Sequence, residues 1–263
     1  MNWFEAIILG LIQGLTEFLP VSSSGHLELG KYLFGIDPEA NFYFSIAVHG
    51  ATVLSTILVL WKEIAELTKG FFKFRYNEET QYVLKIFVSM IPTAIAGFFL
   101  KYIAEEFFTG NMISLGIQFL ITALLLFMTF IIKPKERPIN YFDSFVIGIA
   151  QAFAILPAVS RSGATIATGM MLGNKKAEIA KFSFLMVLIP IVGANLVEMN
   201  SGDFNTGGTS LSIILAGFVT AFVSGYFACK WMINLVKKGN LGWFAFYCVL
   251  AGIFSIILGL HVI

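Results

Sequence analysis

The sequence predicts an all-α polytopic membrane protein: one domain over residues 1–263, built as an inverted repeat from six transmembrane helices and two re-entrant helix-loop-helix segments. Three observations predict it: the composition, the lengths of the apolar runs, and a match of the chain to itself at an offset of 138 residues. Hydrophobic residues make up 57% of the chain and charged residues 13%, and the mean hydropathy is +0.83. That leaves too little polar surface to solvate a globule, so the solvent must be lipid. At roughly 20 residues per helical crossing, the chain has room for about six to ten passes and none for a sizeable soluble domain.

Uninterrupted apolar stretches at 42–61, 81–103, 111–132, 176–199, 209–235 and 241–262 are each long enough to span a bilayer as a helix. Two further apolar segments, 2–35 and 141–173, are broken by the polar sequences Pro20–His26 and Pro157–Thr165. Half of such a segment is too short to cross and the whole is too long for one straight crossing. Each therefore reads as a helix-loop-helix that enters and returns, with its loop buried in protein. The bases agree with this reading. Re-entry of both segments puts Lys62, Lys69, Lys73, Arg75, Lys85, Lys133, Lys135, Arg137, Lys175, Lys176, Lys181, Lys237 and Lys238 on one face and leaves Lys31 and Lys101 on the other. Cytoplasmic loops are enriched in Lys and Arg, so both termini and the base-free loop 199–209, with Asp203, are expected outside.

The first thirty residues contain no Lys or Arg, so a cleaved signal peptide is not expected. Cys229 and Cys248 lie in apolar runs and read as packing residues. The net charge is +1 and no basic stripe with interleaved aromatics occurs, which argues against a nucleic-acid partner. The stretch 62–80, with Phe71, Phe72 and Phe74 beside Lys69, Lys73 and Arg75, reads as interfacial and amphipathic.

The offset of 138 places Gly10 on Gly148, Gln13 on Gln151, Val21 on Val159, Ser22 on Ser160, Ser24 on Ser162, Gly25 on Gly163 and Gly35 on Gly173. Repeat 1 covers about 1–132 and repeat 2 about 139–263, each a broken segment followed by three spans. An odd number of crossings turns the second half upside down relative to the first. In inverted repeats of this kind, half-helix N-termini from the two halves converge on an anionic group.

Ser22, Ser23, Ser24 and Gly25 form one such helix start, and Ser160, Arg161, Ser162 and Gly163 form the other. Short side chains there let consecutive N–H groups form an anion-binding nest. A single motif of this composition more often mediates close helix packing; two copies related by inversion favour the nest. Arg161 is costly inside a membrane and needs a partner or a wet cavity. A phosphate suits its planar fork, with Ser160, Ser162 and Thr165 at hand for further oxygens, and an ion pair with Glu17 is the alternative. Gln13 and Glu17, four residues apart, share one helix face. Glu17 can bind a divalent cation, orient water or hold His26, and Gln13 can hydrogen-bond or weakly coordinate. His26 can act as a general acid or base, although a lone intramembrane His is more often a packed residue. Glu5, Glu28 and His49 stand second.

At these motifs the chain resembles the bacitracin-resistance family of undecaprenyl-diphosphate phosphatases, nearly end to end. The family's Glu/Gln-to-Glu spacing of four appears as Gln13-Gly14-Leu15-Thr16-Glu17, and its Pro-Gly-x-Ser-Arg-Ser-x-x-Thr pattern appears as Pro157–Thr165, with Ala158 in place of Gly. The resemblance implies hydrolysis of a polyprenyl diphosphate lipid at an outward-facing site in the bacterial plasma membrane, with a divalent cation, magnesium or calcium. It implies that Arg161 clamps the diphosphate, Ser23 is nucleophile or phosphate ligand, His26 is acid or base, and Glu17 with Gln13 positions metal or water. Serine and activated water remain alternative attacking groups. Ser22, Ser24, Gly25, Ser160, Ser162, Gly163 and Thr165 are expected to bind the phosphates. Phe182, Phe184 and Phe218 are expected along the lipid tail. A secondary transporter or lipid flippase with the same repeat is the rival reading, and the acid/base set speaks against it. The sequence allows self-association into a homo-oligomer.

Overall fold

The computed structural model describes residues 1–36, 42–99, 111–131, 136–156, 158–200, 209–238 and 241–261. Pro157, Lys101, Lys133, Lys135 and Asp203 lie outside the described residues. The chain forms α1 (Trp3–Phe18), α2 (Ser23–Phe34), α3 (Phe42–Val59), α4 (Trp61–Phe71), α5 (Glu78–Phe99) and α6 (Met112–Ile131). It continues with α7 (Tyr141–Phe153), α8 (Arg161–Met171), α9 (Lys176–Asn200), α10 (Leu211–Lys238) and α11 (Gly242–Leu260). It is an all-α polytopic membrane protein. Among the described residues α5, α6, α10 and α11 are each long and apolar enough to cross a membrane, and α3 with α4 makes a fifth candidate. The sixth predicted run is α9, which is helical over 25 residues.

The chain turns near Leu60, where the stretch read as interfacial and amphipathic begins. The run predicted over 42–61 ends at Val59, and the chain bends by 74° into α4. From there Lys62, Glu63, Glu66 and Lys69 interrupt the apolar pattern, and Lys181 of α9 pairs with Glu63, so α4 turns aside instead of continuing the span.

Both broken segments return to the end from which they start. Ile36, just after α2, packs in one cluster with Ala6 and Leu9 of α1 and with Phe44 of α3, and Met1 and Ile213 pack against the same cluster. At the other end, Arg137 precedes α7 and exchanges backbone hydrogen bonds with Gly173 and Lys175 after α8, at 3.1 and 3.0 Å. Asn174 Nδ2 donates to Asp143 in the first turn of α7 at 2.9 Å.

Local geometry recurs at the 138-residue offset. Asn2 with Glu5 and Asn140 with Asp143 form capping boxes on α1 and α7. Ser22 and Ser160 cap α2 and α8, accepting from the N–H of Gly25 and of Gly163. Gly35 and Gly173, at φ 65° and 87°, end the two returning helices in left-handed turns that favour glycine. Lipid tails are as apolar as leucine, so helices associate here by close packing. The glycines provide it: a Cβ at Gly10 would lie 3.0 Å from Gly217 Cα, and one at Gly148 would lie 2.9 Å from Ser89 Cα. Thus α1 lies directly on α10, and α7 on α5.

Candidate active site

The N-termini of α2 and α8 meet inside the protein. Ser162 Oγ donates to the Leu19 carbonyl at 3.3 Å, joining the two loops. They enclose a cavity lined by Glu17, Ser22, Ser23, Ser24, Ser160, Arg161 and Ser162, with Thr52, Val53 and Thr56 from α3 and Phe184, Val187 and Ile191 from α9. The second loop is fixed from α6. Gln118 Oε1 on α6 accepts from the Ala158 N–H at 2.8 Å, and Thr122 Oγ1 accepts from the Ser160 N–H at 3.1 Å. Ala158 is fully buried in a cluster with Leu29, Met112, Leu115 and Phe119.

The polar centre is built on Glu17. Its Oε2 accepts from Ser23 Oγ at 2.5 Å and from Gln13 Nε2 at 2.8 Å, and its Oε1 faces Arg161 Nη2 at 3.4 Å. Glu17 is nearly buried, whereas the Arg161 side chain keeps 31% of its surface exposed toward the cavity. The Glu17–Arg161 contact is long for a charged hydrogen bond, so the guanidinium retains donors for an anion. The helix N-termini carry partial positive charge and orphan N–H groups, which add to the attraction for phosphate. The arrangement sets a hydroxyl on a carboxylate within reach of a cation and two helix N-termini. It is suited to binding a multiply charged anion and activating the hydroxyl beside it.

Several residues singled out from sequence stand elsewhere. The N–H groups of Gly25 and Gly163 are taken by the caps, at 3.2 and 3.0 Å. Thr165 is fully buried and bonds to Ser183 Oγ at 2.5 Å, tying α8 to α9 rather than lining the cavity. The ring nitrogens of His26 bind the Ser22 carbonyl and the Tyr247 hydroxyl, both at 2.7 Å. His26 is not among the cavity residues, and Glu17 holds Ser23 rather than His26. His49, ranked second from sequence, stands 4.0 Å from Glu17 instead. Phe184 lines the cavity and packs edge-on against Phe18, but Phe182 is buried against Tyr82, and Phe218 packs beside the Ala6 cluster. Cys229 and Cys248 are buried and free. Sequence reasoning missed Thr52 with Thr56 and Gln118 with Thr122, although each is a polar i, i+4 pair inside an apolar helix, and such pairs mark an inward-facing stripe.

Comparison with known proteins shows what the chain is similar to. The chain is 52% identical over 260 residues to an undecaprenyl-diphosphatase of Parabacteroides distasonis, covering 97% of this chain and 98% of that one. It is 53% identical over 261 residues to an undecaprenyl-diphosphatase of Bacteroides thetaiotaomicron, covering 98% and 99%. One from the more distant Thermosipho africanus is 40% identical over 256 residues, covering 96% and 99%. The family model described as bacitracin resistance protein BacA matches residues 6–254, and with these full-length relatives it establishes that this chain belongs to that family.

Proposed function

We propose that the protein is a membrane phosphatase that hydrolyses undecaprenyl diphosphate to undecaprenyl phosphate and inorganic phosphate, returning the lipid carrier to cell-wall synthesis. The observation that carries this reading is the Ser23–Glu17–Arg161 constellation at the meeting point of two serine-capped helix N-termini. Relatives named undecaprenyl-diphosphatase over nearly the full length of both chains support it.

The diphosphate lies against the starts of α2 and α8, held by Arg161 through its planar fork and by the hydroxyls of Ser22, Ser24, Ser160 and Ser162. Ser23 Oγ attacks the terminal phosphorus while its proton passes to Glu17. The bond from that phosphorus to the bridging oxygen breaks, and the lipid monophosphate leaves. Water then hydrolyses the phosphoserine, a proton returns to Ser23 Oγ, and Glu17 gives its proton to solvent. The charge that shifts among the phosphate oxygens is stabilised mainly by positioned donors.

A divalent cation, magnesium or calcium, fits these residues. Gln13 Oε1 is buried without a hydrogen-bond partner, its amide nitrogen bonds Glu17, and hard cations take oxygen ligands. Among the described residues no three His, Cys, Asp or Glu side chains gather into a metal cluster, so Glu17 and Gln13 would share the ion with phosphate oxygens. Bound there, it would neutralise phosphate charge.

The site and both termini face outside the bacterial plasma membrane. Support comes from the ends of the helices: Met1 and Ile36 pack at one end, whereas Arg137, Lys175 and Lys181 gather at the other.

The test is phosphate release from a polyprenyl diphosphate. Purified protein in detergent should release it with magnesium or calcium and not with chelator, and right-side-out vesicles should hydrolyse substrate added outside. No release under any metal would reject the phosphatase reading. Release from inside-out vesicles alone would reject the orientation.

A further inference from the structure

The two serine-capped helices begin alike in hydrogen bonding but not in backbone. Ser160 has an ordinary extended conformation, φ −66° and ψ 113°, whereas Ser22 has φ 70° and ψ 97°. A side chain at positive φ is strained, and such a conformation persists only where its surroundings over-determine it.

Those surroundings are His26 and Tyr247. The Ser22 carbonyl accepts from the His26 backbone N–H at 3.2 Å and from His26 Nδ1 at 2.7 Å. A carbonyl only accepts, so Nδ1 carries the proton, and in the neutral ring Nε2 is then an acceptor. The Tyr247 hydroxyl donates to it at 2.7 Å. The Tyr247 ring also stacks on the imidazole at 5.5 Å between centroids and 10° between planes, and Phe119 meets it edge-on at 5.0 Å. Both nitrogens of the imidazole are thereby engaged, and two aromatic rings pack against it. At the offset of 138 residues His26 falls on Ala164, and there the cap is relaxed. Strain and its restraint occur together in one half and are missing together from the other.

We propose that His26 and Tyr247 form a clamp that holds Ser22 in its left-handed conformation and so aims the adjoining Ser23 hydroxyl at Glu17. They are positioning residues, and His26 transfers no proton to or from substrate. The kinetic readout rests on the phosphatase reading; the clamp itself does not.

A double-mutant cycle separates the two roles, because glycine adopts positive φ freely and should make the clamp dispensable. His26→Ala should lower kcat at least tenfold in the native background and less than threefold when Ser22 is replaced by Gly. Tyr247→Phe keeps the stacked ring and loses only the hydroxyl. It should lower kcat about threefold or more, leave KM and the positions of the pH–rate limbs unchanged, and cost less in the Ser22→Gly background when measured against the Ser22→Gly protein itself. An equal loss from His26→Ala in both backgrounds, or a Tyr247→Phe enzyme with full activity, overturns the clamp. The same cycle read as thermal stability in detergent needs no turnover: His26→Ala should lower Tm more in the native background than with Ser22→Gly, and equal shifts again overturn it. Absence of phosphate release from the unmodified protein would instead count against the phosphatase reading.

Discussion

Between the first broken segment, α1 with α2, and the second, α7 with α8, the backbone devices recur position by position while the polar side chains of the candidate site do not. Asn2 and Asn140, Gly10 and Gly148, Ser22 and Ser160, and Gly35 and Gly173 perform the same local tasks in each. At the same offset Glu17 falls on Ile155, Ser23 on Arg161 and His26 on Ala164. One half therefore supplies a carboxylate and a hydroxyl, and the other a guanidinium. A symmetric frame brings two helix N-termini together, and asymmetric substitutions on it give one site with opposite charges facing across it. Neither half is a site alone, since Glu17 and Arg161 are each costly in a membrane without the other or a ligand.

The largest expected effect comes from breaking that division at Arg161. In the proposed reaction its fork grips two phosphate oxygens, which the point charge of lysine cannot reproduce. Arg161→Lys should fold, with Tm near that of the unmodified protein, and lose more than tenfold in kcat, equivalent to at least about 1.4 kcal/mol of transition-state stabilisation. Initial rates against lipid diphosphate concentration, with thermal unfolding in the same detergent, check it. Near-normal kcat would reduce Arg161 to the structural partner of Glu17.

The glycines test the shared part of the comparison. Gly10 and Gly148 meet the backbone of Gly217 and Ser89, which cannot step aside as a flexible side chain can. Alanine at either should destabilise the protein by about 1–3 kcal/mol, the range for overpacking. Gly97 of α5 has nothing within 4 Å of an added Cβ, so alanine there should be neutral or stabilising by up to about 1 kcal/mol. Thermal unfolding of the three variants compares them directly. A Gly148→Ala protein as stable as Gly97→Ala would show that α7 and α5 are not in backbone contact.

The frame was legible in sequence because caps, glycine turns and apolar runs are local, and a local device repeats wherever its residues repeat. The pairing of Glu17 with Arg161 was legible for a different reason: two opposite charges inside a membrane have few other places to go. The direction of His26 was not legible, since it depends on Tyr247, 221 positions away, and on a backbone angle that no residue type announces. Thr165 was misread because a hydroxyl beside a phosphate motif looks like a ligand until its helix neighbours are known, and Ser183 takes it. Phe182 was misread because an aromatic in an apolar run does not reveal whether lipid or protein lies next to it.

The smallest effect distinguishes two capping boxes with the same hydrogen bonds. The bonds between Asn2 and Glu5 lie exposed at the start of α1, where water replaces any that is lost. Asn140 caps the N–H of Asp143, a fully buried residue whose carboxylate also takes two bonds from Arg137 at 2.6 and 2.7 Å and one from Asn174 at 2.9 Å. Asn140 is itself exposed, but removing its side chain takes the protein partner from the N–H of a buried residue and loosens a carboxylate that fastens the return of α8 to the start of α7. Both costs fall in the usual range for a cap, about 0.5–2 kcal/mol, but Asn2→Ala should lie at its low end and Asn140→Ala at its high end. Thermal unfolding of both variants in one detergent gives the comparison, and Asn140→Asp, which keeps the acceptor but sets a second carboxylate beside Asp143, should fall below Asn140→Ser. Equal losses for Asn2→Ala and Asn140→Ala would mean that the Arg137–Asp143–Asn174 cluster holds the second segment without help from its cap.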